Sequence, residues 1–189
     1  EATGSSGSIC ALQNLVLDGC AITQPNGAEF DAQYHSVLLN GELVTEKVVI
    51  EPDSYGFNIA GVNVTKKNCK DLSVIDGVDG KISYNPETKT LTMEDVTINV
   101  ADNSGIWNSS VKGLKIVLVG NNIITSSSSC IKIDKTSTIS GSGTLILKSS
   151  ENCGIYMKLT SLTVEGVKIY AEGEYGVAGF DGISGETLT

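Results

Sequence analysis

The sequence contains no arginine: all thirteen basic residues are lysine, against twenty-two acidic residues, which gives a formal charge of −9. Nucleic acids and anionic membranes are bound mainly through clustered Lys and Arg, so this balance argues against both as partners. No run approaches the roughly 20 apolar residues that cross a bilayer as a helix, so we expect no membrane insertion in this segment. An acidic surface of this kind is ordinary for a secreted protein.

Histidine is nearly absent, and the cysteines lack the spacing of a metal or redox site. With His35 as the single histidine, no catalytic triad and no histidine–metal cluster can be assembled. The cysteines show neither CxxC nor Cys/His spacing, which argues against a zinc or redox centre. A disulfide between one pair stays open, because oxidised pairs are common in secreted proteins. The five cysteines are Cys10, Cys20, Cys69, Cys130 and Cys153.

The residues that dominate are those of strands and turns. Val, Ile and Thr occur in short runs broken by Gly, Ser and Asn, which is typical of an all-β protein. Three segments, Leu15–Ile22, Leu91–Ile98 and Leu162–Ile169, align without gaps. Their apolar residues alternate on each side of a two-residue corner, which predicts two short strands that meet at a bend. The acidic residue before the bend is Asp18, Glu94 or Glu165.

A second signature recurs about every two dozen residues. A small residue followed by Ile or Val appears at steps of 25, 24 and 22 residues, and another apolar residue lies eight positions before each copy. This period, with three short strands, fits one coil of a right-handed parallel β-helix, in which inward side chains pack on their equivalents about 4.8 Å away. The consensus of leucine-rich repeats is missing. The predicted inward columns are Ile106, Ile131, Ile155 and Val177, and Ile98, Ile123, Leu147 and Ile169.

The predicted organisation has three parts. Residues 91–189 form the coils and stop in mid-coil. Residues 51–90 are a linker and an N-terminal cap, in which Tyr55–Val64 is a strand, Lys66–Ile75 is a helical turn and a hairpin leads into the first coil. Residues 1–50 are the terminal coil and closing hairpin of a preceding solenoid module.

This order predicts head-to-tail stacking with neighbouring modules or molecules. Leu188-Thr189 opens a coil, whereas Ala2-Thr3-Gly4 resembles the close of a strand pair. The linker 51–54 is too short to fold residues 1–50 back across a stack more than about 20 Å tall. We therefore interpret the chain as about one module's length, taken out of phase from a tandem array.

A family resemblance is carried by four stretches: Tyr55–Val64, Ile82–Met93, Leu114–Ile123 and Ile139–Leu145. They resemble a repetitive family of gut-commensal bacterial surface proteins, often labelled carbohydrate-binding-domain or hypothetical β-helix proteins. The resemblance extends over nearly the whole chain and implies an extracellular or cell-surface location. Its motifs are structural, and no catalytic residue transfers from it.

The candidate binding residues are outward aromatics. Each follows or lies near an inward residue of a coil, so Trp107 and Tyr156 are expected about 10 Å apart with a lysine between them. Such a column suits stacking on a glycan; the alternative is that the rings only cover the solenoid wall. The candidates are Trp107, Lys132, Tyr156, Tyr170 and Tyr175.

Calcium and catalysis are the remaining possibilities. Asp76 and Asp79 lie in a turn-rich stretch, which makes them weak calcium candidates, although the spacing matches no established calcium loop. A β-helix lyase usually needs an arginine, and this chain has none. A glycoside hydrolase needs carboxylates held about 5–10 Å apart. The acids of the stack are Glu94, Asp95, Asp102, Asp134, Glu151, Glu165, Glu172, Glu174 and Asp181.

The sequence thus favours a non-catalytic, structural or adhesive surface module with no catalytic residue and no obligatory cofactor. Its expected partners are a glycan or a host or cell-surface protein. The alternative, a polysaccharide-acting lyase or glycoside hydrolase of the β-helix type, stays open.

Overall fold

The computed structural model describes residues 1–17, 19–182 and 185–189, and the corner residue Asp18 lies outside the described residues. The chain divides into two compact units, Glu1–Ser54 (unit 1) and Tyr55–Thr189 (unit 2). The described residues form short β-strands and contain no α-helix. The all-β prediction is therefore confirmed.

Unit 1 is a small antiparallel unit with its own core. Its strands are β1 (Cys20–Gln24), β2 (Glu29–Asp31), β3 (Ser36–Leu39), β4 (Glu42–Leu43) and β5 (Val49–Pro52). Strands β2, β3 and β4 form one sheet, and β1 pairs with β5.

Within unit 1, strands β3 and β4 form a hairpin that turns at Asn40-Gly41. Leu39 pairs with Glu42, and both turn residues have positive φ, which is the geometry of a two-residue hairpin turn. Its second strand is short, since β4 contains only Glu42 and Leu43.

Unit 2 is a parallel β-solenoid of about four coils. Its strands are β6 (Phe57–Ile59), β7 (Val62–Asn63), β8 (Val78–Asn85), β9 (Thr90–Val100), β10 (Ile106–Asn108), β11 (Leu114–Val119), β12 (Asn121–Ser126), β13 (Ile131–Ile133), β14 (Ser137–Gly141), β15 (Thr144–Ser149), β16 (Cys153–Met157), β17 (Ser161–Glu165), β18 (Lys168–Glu172), β19 (Tyr175–Ala178) and β20 (Thr187–Leu188).

Each coil contributes one strand to each of three walls. Face A contains the first half of β9 with β11, β14, β17 and β20. Face B contains the second half of β9 with β12, β15 and β18. Face C contains β10, β13, β16 and β19. All of these neighbours run parallel, so equivalent residues of successive coils lie one above another.

The predicted column on face C is confirmed in full. Ile106 pairs with Ile131, Ile131 with Ile155, and Ile155 with Val177. The three isoleucines are almost completely buried. Each covers the next, so the aliphatic core exists only because the coils stack.

The predicted column on face B is wrong at two positions. Ile98 pairs with Ile124 rather than Ile123, and Leu147 pairs with Ala171 rather than Ile169. The corner between faces B and C is shorter in the second and fourth coils than in the first and third, so a constant offset of eight residues misses the register there. Side chains alternate between the two faces of a strand. Because Ile124 points inward, Ile123 next to it points outward.

The ungapped alignment of the repeated segments is also two residues out of register. Leu91 pairs with Ile116, which pairs with Ile139 and then Val164, whereas Leu162 pairs with Ser137. A shift of two residues leaves every inward residue opposite another inward residue. The alternating pattern of the sequence therefore cannot reveal such a shift.

An antiparallel cap closes the N-terminal end of the solenoid. Strand β8 pairs antiparallel with β9, with Asn85 opposite Thr90, so the hairpin predicted to lead into the first coil is confirmed. Strand β6 pairs antiparallel with β10 and with β7. The single strand predicted over Tyr55–Val64 is therefore wrong: Ala60 and Gly61 have positive φ and turn the chain into a hairpin.

The predicted helical turn over Lys66–Ile75 is also wrong. A turn at residues 66–70 carries one bond of helical span, from the Cys69 N–H to the Thr65 carbonyl (3.0 Å), and the chain then leaves the helical path. A single turn gains too few hydrogen bonds to persist as a helix without further support. Leu72 and Ile75 are nevertheless buried in the core of unit 2.

Candidate functional site

Three outward side chains of face C form one column, as predicted. Trp107 pairs with Lys132, and Lys132 pairs with Tyr156, in successive parallel strands. All three side chains are half-buried. They point outward because each lies between two inward residues of a short strand. The strands β10, β13 and β16 therefore hold an aromatic, a cation and a second aromatic at strand spacing.

The indole of Trp107 is held by two contacts from the next coil. The Lys132 ammonium lies 4.3 Å from the centroid of the ring, which is a cation–π contact. The indole Nε1–H donates a hydrogen bond to Oδ2 of Asp134 at 2.8 Å. Both partners come from the strand β13 and the residue after it. These two contacts fix the orientation of the ring.

The carboxylate of Asp134 has unused acceptor capacity beside the indole. Its Oδ1 atom is buried and has no hydrogen-bond partner among the described residues. A buried acceptor without a partner destabilises the fold by roughly 1–3 kcal/mol. Buried polar atoms of this kind are infrequent in folded proteins and need an explanation. Asp134 follows Lys132 by two positions, so the sequence did contain a signal for its place on the same wall.

Tyr156 lies in negatively charged surroundings. Burial raises the pKa of its hydroxyl, and the nearby Cys153, Asp134, Glu186 and Asp181 raise it further. The hydroxyl therefore remains a neutral hydrogen-bond donor throughout the physiological range. The same carboxylates disfavour an anionic ligand at this end of the column.

The structure places Tyr170 and Tyr175 one coil beyond Tyr156, and neither lies in the column. Tyr170 pairs with Ile146 on face B, a different wall of the solenoid, and is 57% exposed. Tyr175 pairs with Cys153, three residues before the column position, which Ala178 occupies. The column ends with Tyr156 because no aromatic residue stands at that place in the fourth coil.

No metal site forms around the calcium candidates. Asp76 and Asp79 are both exposed, and the Asp79 carboxylate accepts a hydrogen bond from the Gly80 N–H of its own turn (2.9 Å). Within residues 1–17, 19–182 and 185–189, no group of three or more His, Cys, Asp or Glu side chains could hold a metal ion.

The acids singled out at the repeat corner belong to different positions. Glu94 pairs with Val119 and forms a 2.6 Å salt bridge with Lys81, which connects β8 to β9. Glu165 pairs with Ser140, in another column of face A. The shared corner inferred from the alignment is therefore wrong for these two residues. The salt bridge of Glu94 with Lys81 connects the cap to the first coil, which is a structural role.

The N-terminal cap also contains a depression that was not predicted from the sequence. Its volume is about 650 Å³, and Tyr55, Lys66, Lys70, Asn85 and Glu87 are among the residues that line it. The sequence feature that could have indicated it is the group of three lysines at positions 66, 67 and 70, in a chain that is acidic overall.

All five cysteines are free thiols. Cys10 is exposed, whereas Cys69, Cys130 and Cys153 are buried. Burial raises the pKa of Cys130 to about 11, so this thiol is a poor nucleophile at neutral pH.

Comparison with protein-family models, with curated proteins and with solved structures found no match for this chain. Among the residues that the structure describes, no helix has the length and apolar character needed to cross a membrane.

Proposed function

We propose that unit 2 is a non-catalytic recognition module of an extracellular or cell-surface protein, and that it binds glycans through the Trp107–Lys132–Tyr156 column. The observation that carries the proposal is the fixed indole. Lys132 and Asp134 orient Trp107, and the side chain of Tyr156 is partly exposed in the same column. A ring oriented in advance loses little conformational freedom when a sugar stacks on it.

The charges around the column favour a neutral glycan. Asp134, Asp181 and Glu186 all act on the Tyr156 hydroxyl, while Lys132 is the one cation of the column. A chain of neutral sugars can place an apolar face on an aromatic ring without bringing a negative charge close to these carboxylates. Sugars with carboxylate or sulfate groups meet like charge there.

The structural part of the proposal follows from the solenoid itself. A stack of parallel strands with an aliphatic column through it presents the same spacing over several coils, which suits a repetitive ligand. The resemblance to bacterial surface proteins supports the location, and a host or cell-surface protein is the second kind of partner expected of such a wall. An adhesive, structural role needs no reacting group.

The test is a glycan array that contains neutral and acidic oligosaccharides, probed with the intact chain. We expect binding to neutral glycans, and a loss of about tenfold or more in Trp107→Ala and in Tyr156→Ala, because each removes one stacking face. Tyr170→Ala is the matched control, since it removes an exposed tyrosine from another wall.

Two results would contradict the proposal. Binding that survives both aromatic substitutions would place the ligand elsewhere, with the depression at Lys66 and Lys70 as the next surface to test. Release of reducing ends or unsaturated products from pectic or mucin glycans would support the enzyme alternative.

A further inference from the structure

The depression in the N-terminal cap, which we call the cap depression, lies on the outer surface of β8 and β9. Ser83 of β8 pairs with Thr92 of β9, and Asn85 pairs with Thr90; all four residues line the depression. Ser83 and Thr92 each stand between two buried residues of their strand, so their side chains point outward. Two neighbouring strands thus present hydroxyl and amide groups to the cap depression.

Two lysines lie on the side of the cap depression that faces away from the coils. Lys66 and Lys70 belong to the lining, and both side chains are exposed. The segment that carries them is hydrogen-bonded to the edge of β8 opposite β9, because the Tyr84 N–H donates to the Cys69 carbonyl (2.6 Å). Strand β8 therefore lies between these lysines and the first coil.

A third lysine adjoins the cap depression on the side of the coils. Lys115 of β11 pairs with Thr90, is exposed, and points outward because it stands between the buried Leu114 and Ile116. Neighbouring strands lie about 4.8 Å apart, so three spacings separate the backbone at Lys70 from β11 by about 14 Å. The cap depression is thus flanked by cations on two opposite sides.

Few carboxylates compete for these cations. None of the three lysines forms a salt bridge within the part of the chain that the structure describes. The carboxylate of Asp71 accepts a hydrogen bond from the Ser73 hydroxyl (2.6 Å), and Glu87 is the acidic residue in the lining. Residues 103–150, which include Lys115, contain five lysines and one acidic residue. This surface is therefore locally basic on a chain that is acidic overall.

The polar side chains between the lysines are suited to hydroxyl groups. The side-chain oxygen of Asn85 accepts hydrogen bonds from the N–H groups of Glu87 (2.9 Å) and Thr88 (3.3 Å), so its amide nitrogen is the group that can donate to a ligand. The hydroxyls of Ser83 and Thr92 can both donate and accept. Sugar hydroxyls have the same double capacity.

The arrangement favours a chain of acidic sugars over a peptide strand or a single ion. Strand β8 is hydrogen-bonded on both edges, and β9 lies between β8 and β11, so neither offers a backbone edge to an extended peptide. The lysines are distributed over about 14 Å, which suits a ligand with anionic groups at more than one place along its length. The volume of about 650 Å³ lies within the range of about 300–1,000 Å³ that is usual for small-ligand sites.

We propose that the cap depression and Lys115 form a second binding site, which takes an acidic oligosaccharide. Carboxylate or sulfate groups of the sugars contact Lys66, Lys70 and Lys115, and the sugar hydroxyls form hydrogen bonds with the polar side chains between them. This site lies on face A and the cap, whereas the Trp107–Lys132–Tyr156 column lies on face C. The two sites therefore bind independently of each other.

The test is calorimetric titration of the intact chain with tetragalacturonate, which carries carboxylates, and with a heparin-derived tetrasaccharide, which also carries sulfates. We expect saturable binding of one or both in about 0.05 M salt, and weaker binding in about 0.5 M salt, because the lysines are exposed to screening. Binding of either ligand supports the proposal and identifies the acidic group. No binding of either at about 1 mM ligand would overturn it.

Lysine variants locate the site. Lys66→Gln, Lys70→Gln and Lys115→Gln should each weaken binding about threefold, and the double variant of Lys66 and Lys70 about tenfold, because each change removes a charged donor. Lys67→Gln is the matched control: it makes the same charge change at an exposed neighbour outside the lining, and should alter the affinity less than twofold. An equal loss in Lys67→Gln would overturn the proposal. Far-UV circular dichroism establishes that each variant is folded.

Two further titrations separate this site from general attraction of anions and from the column on face C. Inorganic tetraphosphate should bind at least about tenfold more weakly than the acidic oligosaccharide, because it lacks the sugar hydroxyls. Equal or tighter binding of tetraphosphate would overturn the proposal. Trp107→Ala should bind the acidic oligosaccharide as the unaltered chain does, even if no neutral glycan binds to the column. A loss of acidic binding in Trp107→Ala would place this ligand on face C and overturn the second site.

Discussion

Ile124 lies directly against Ile98 of the preceding coil, and both side chains are completely buried. Ile123, one residue earlier, pairs with Thr97 on the outer surface of face B and is only partly buried. Two adjacent isoleucines of β12 therefore have opposite roles, which gives a matched pair for testing the register.

The first prediction is that Ile124→Ala lowers the free energy of unfolding by about 2–4 kcal/mol, because it leaves a cavity in a core column. Ile123→Ala should lower it by less than about 1 kcal/mol, since its side chain keeps contact with solvent. Urea denaturation followed by circular dichroism measures both. Equal losses would mean that the register of β12 is different.

The second prediction concerns the corner between faces A and B in the third coil. Gly141 has φ +123°, and a Cβ at this residue would lie 2.3 Å from the Leu118 carbonyl oxygen. Gly113 also has positive φ (+78°), but nothing lies within 4 Å of its Cβ position. Gly141→Ala must displace backbone of the neighbouring coil as well as adopt an unfavourable φ.

We therefore expect Gly113→Ala to cost about 1 kcal/mol and Gly141→Ala clearly more, with a visible loss of cooperativity in melting. Differential scanning calorimetry of the two variants provides the comparison. A Gly141→Ala protein that melts at or above the temperature of Gly113→Ala would show that the coils are not packed this closely.

The third prediction separates the cysteines by reactivity. The pKa of Cys130 is raised to about 11 by burial, and its thiol donates to the Ile124 carbonyl (3.3 Å). At pH 8 only about a thousandth of a thiol with this pKa is ionised, and the thiolate is the reactive form. Iodoacetamide should thus modify the exposed Cys10 in the native chain and leave Cys130 unmodified until the chain unfolds. Peptide mass spectrometry after brief labelling checks this, and comparable labelling of both residues in the native chain would contradict it.

The same pKa shift gives a stability effect with a definite sign. The folded chain holds the Cys130 proton more tightly than the unfolded chain, so the contribution is fully present below about pH 9 and is lost as the pH rises towards 11. Val is the natural control at this position, because Cys130→Val removes the titrating group and retains an apolar side chain. The unaltered chain should lose more stability than this variant between those pH values.

The solenoid and one of its walls could be predicted from the sequence because their signal is local. The alternation around Ile106, Ile131 and Ile155 fixes which residues point inward, and a small residue stands before each of them. That was sufficient to place Trp107 and Lys132 in one outward column.

The corners could not be predicted in the same way, because their lengths vary and their inward residues are not always apolar. Asn122 occupies an inward position and is completely buried, with its Oδ1 accepting a hydrogen bond from the Val96 N–H (3.1 Å) and its amide donating to the Val119 carbonyl (3.0 Å). A polar residue whose side chain forms the hydrogen bonds of buried backbone groups at a corner interrupts the apolar pattern of the sequence. The sequence pattern therefore does not reveal the register of face B at this corner, and it wrongly predicts that Ile123 points inward.

The candidate site could be predicted only in part, for a similar reason. The column follows from strand spacing, but the contacts of the Trp107 indole depend on how far the side chains of Lys132 and Asp134 reach across one coil. The absence of Tyr170 from the column depends on corner lengths, which decide the wall on which each residue emerges. Alternation indicates only whether a residue points inward or outward.

Trp107 is the single tryptophan of the chain, so its fluorescence reports directly on the proposed binding column. The decisive measurement is a titration of the intact chain with a neutral oligosaccharide that binds on the array, followed by tryptophan emission. We predict a saturable change in emission, since a stacked sugar alters the solvation of an indole held by Lys132 and Asp134. Binding established independently by calorimetry, with tryptophan emission unchanged at saturation, would contradict recognition through this column.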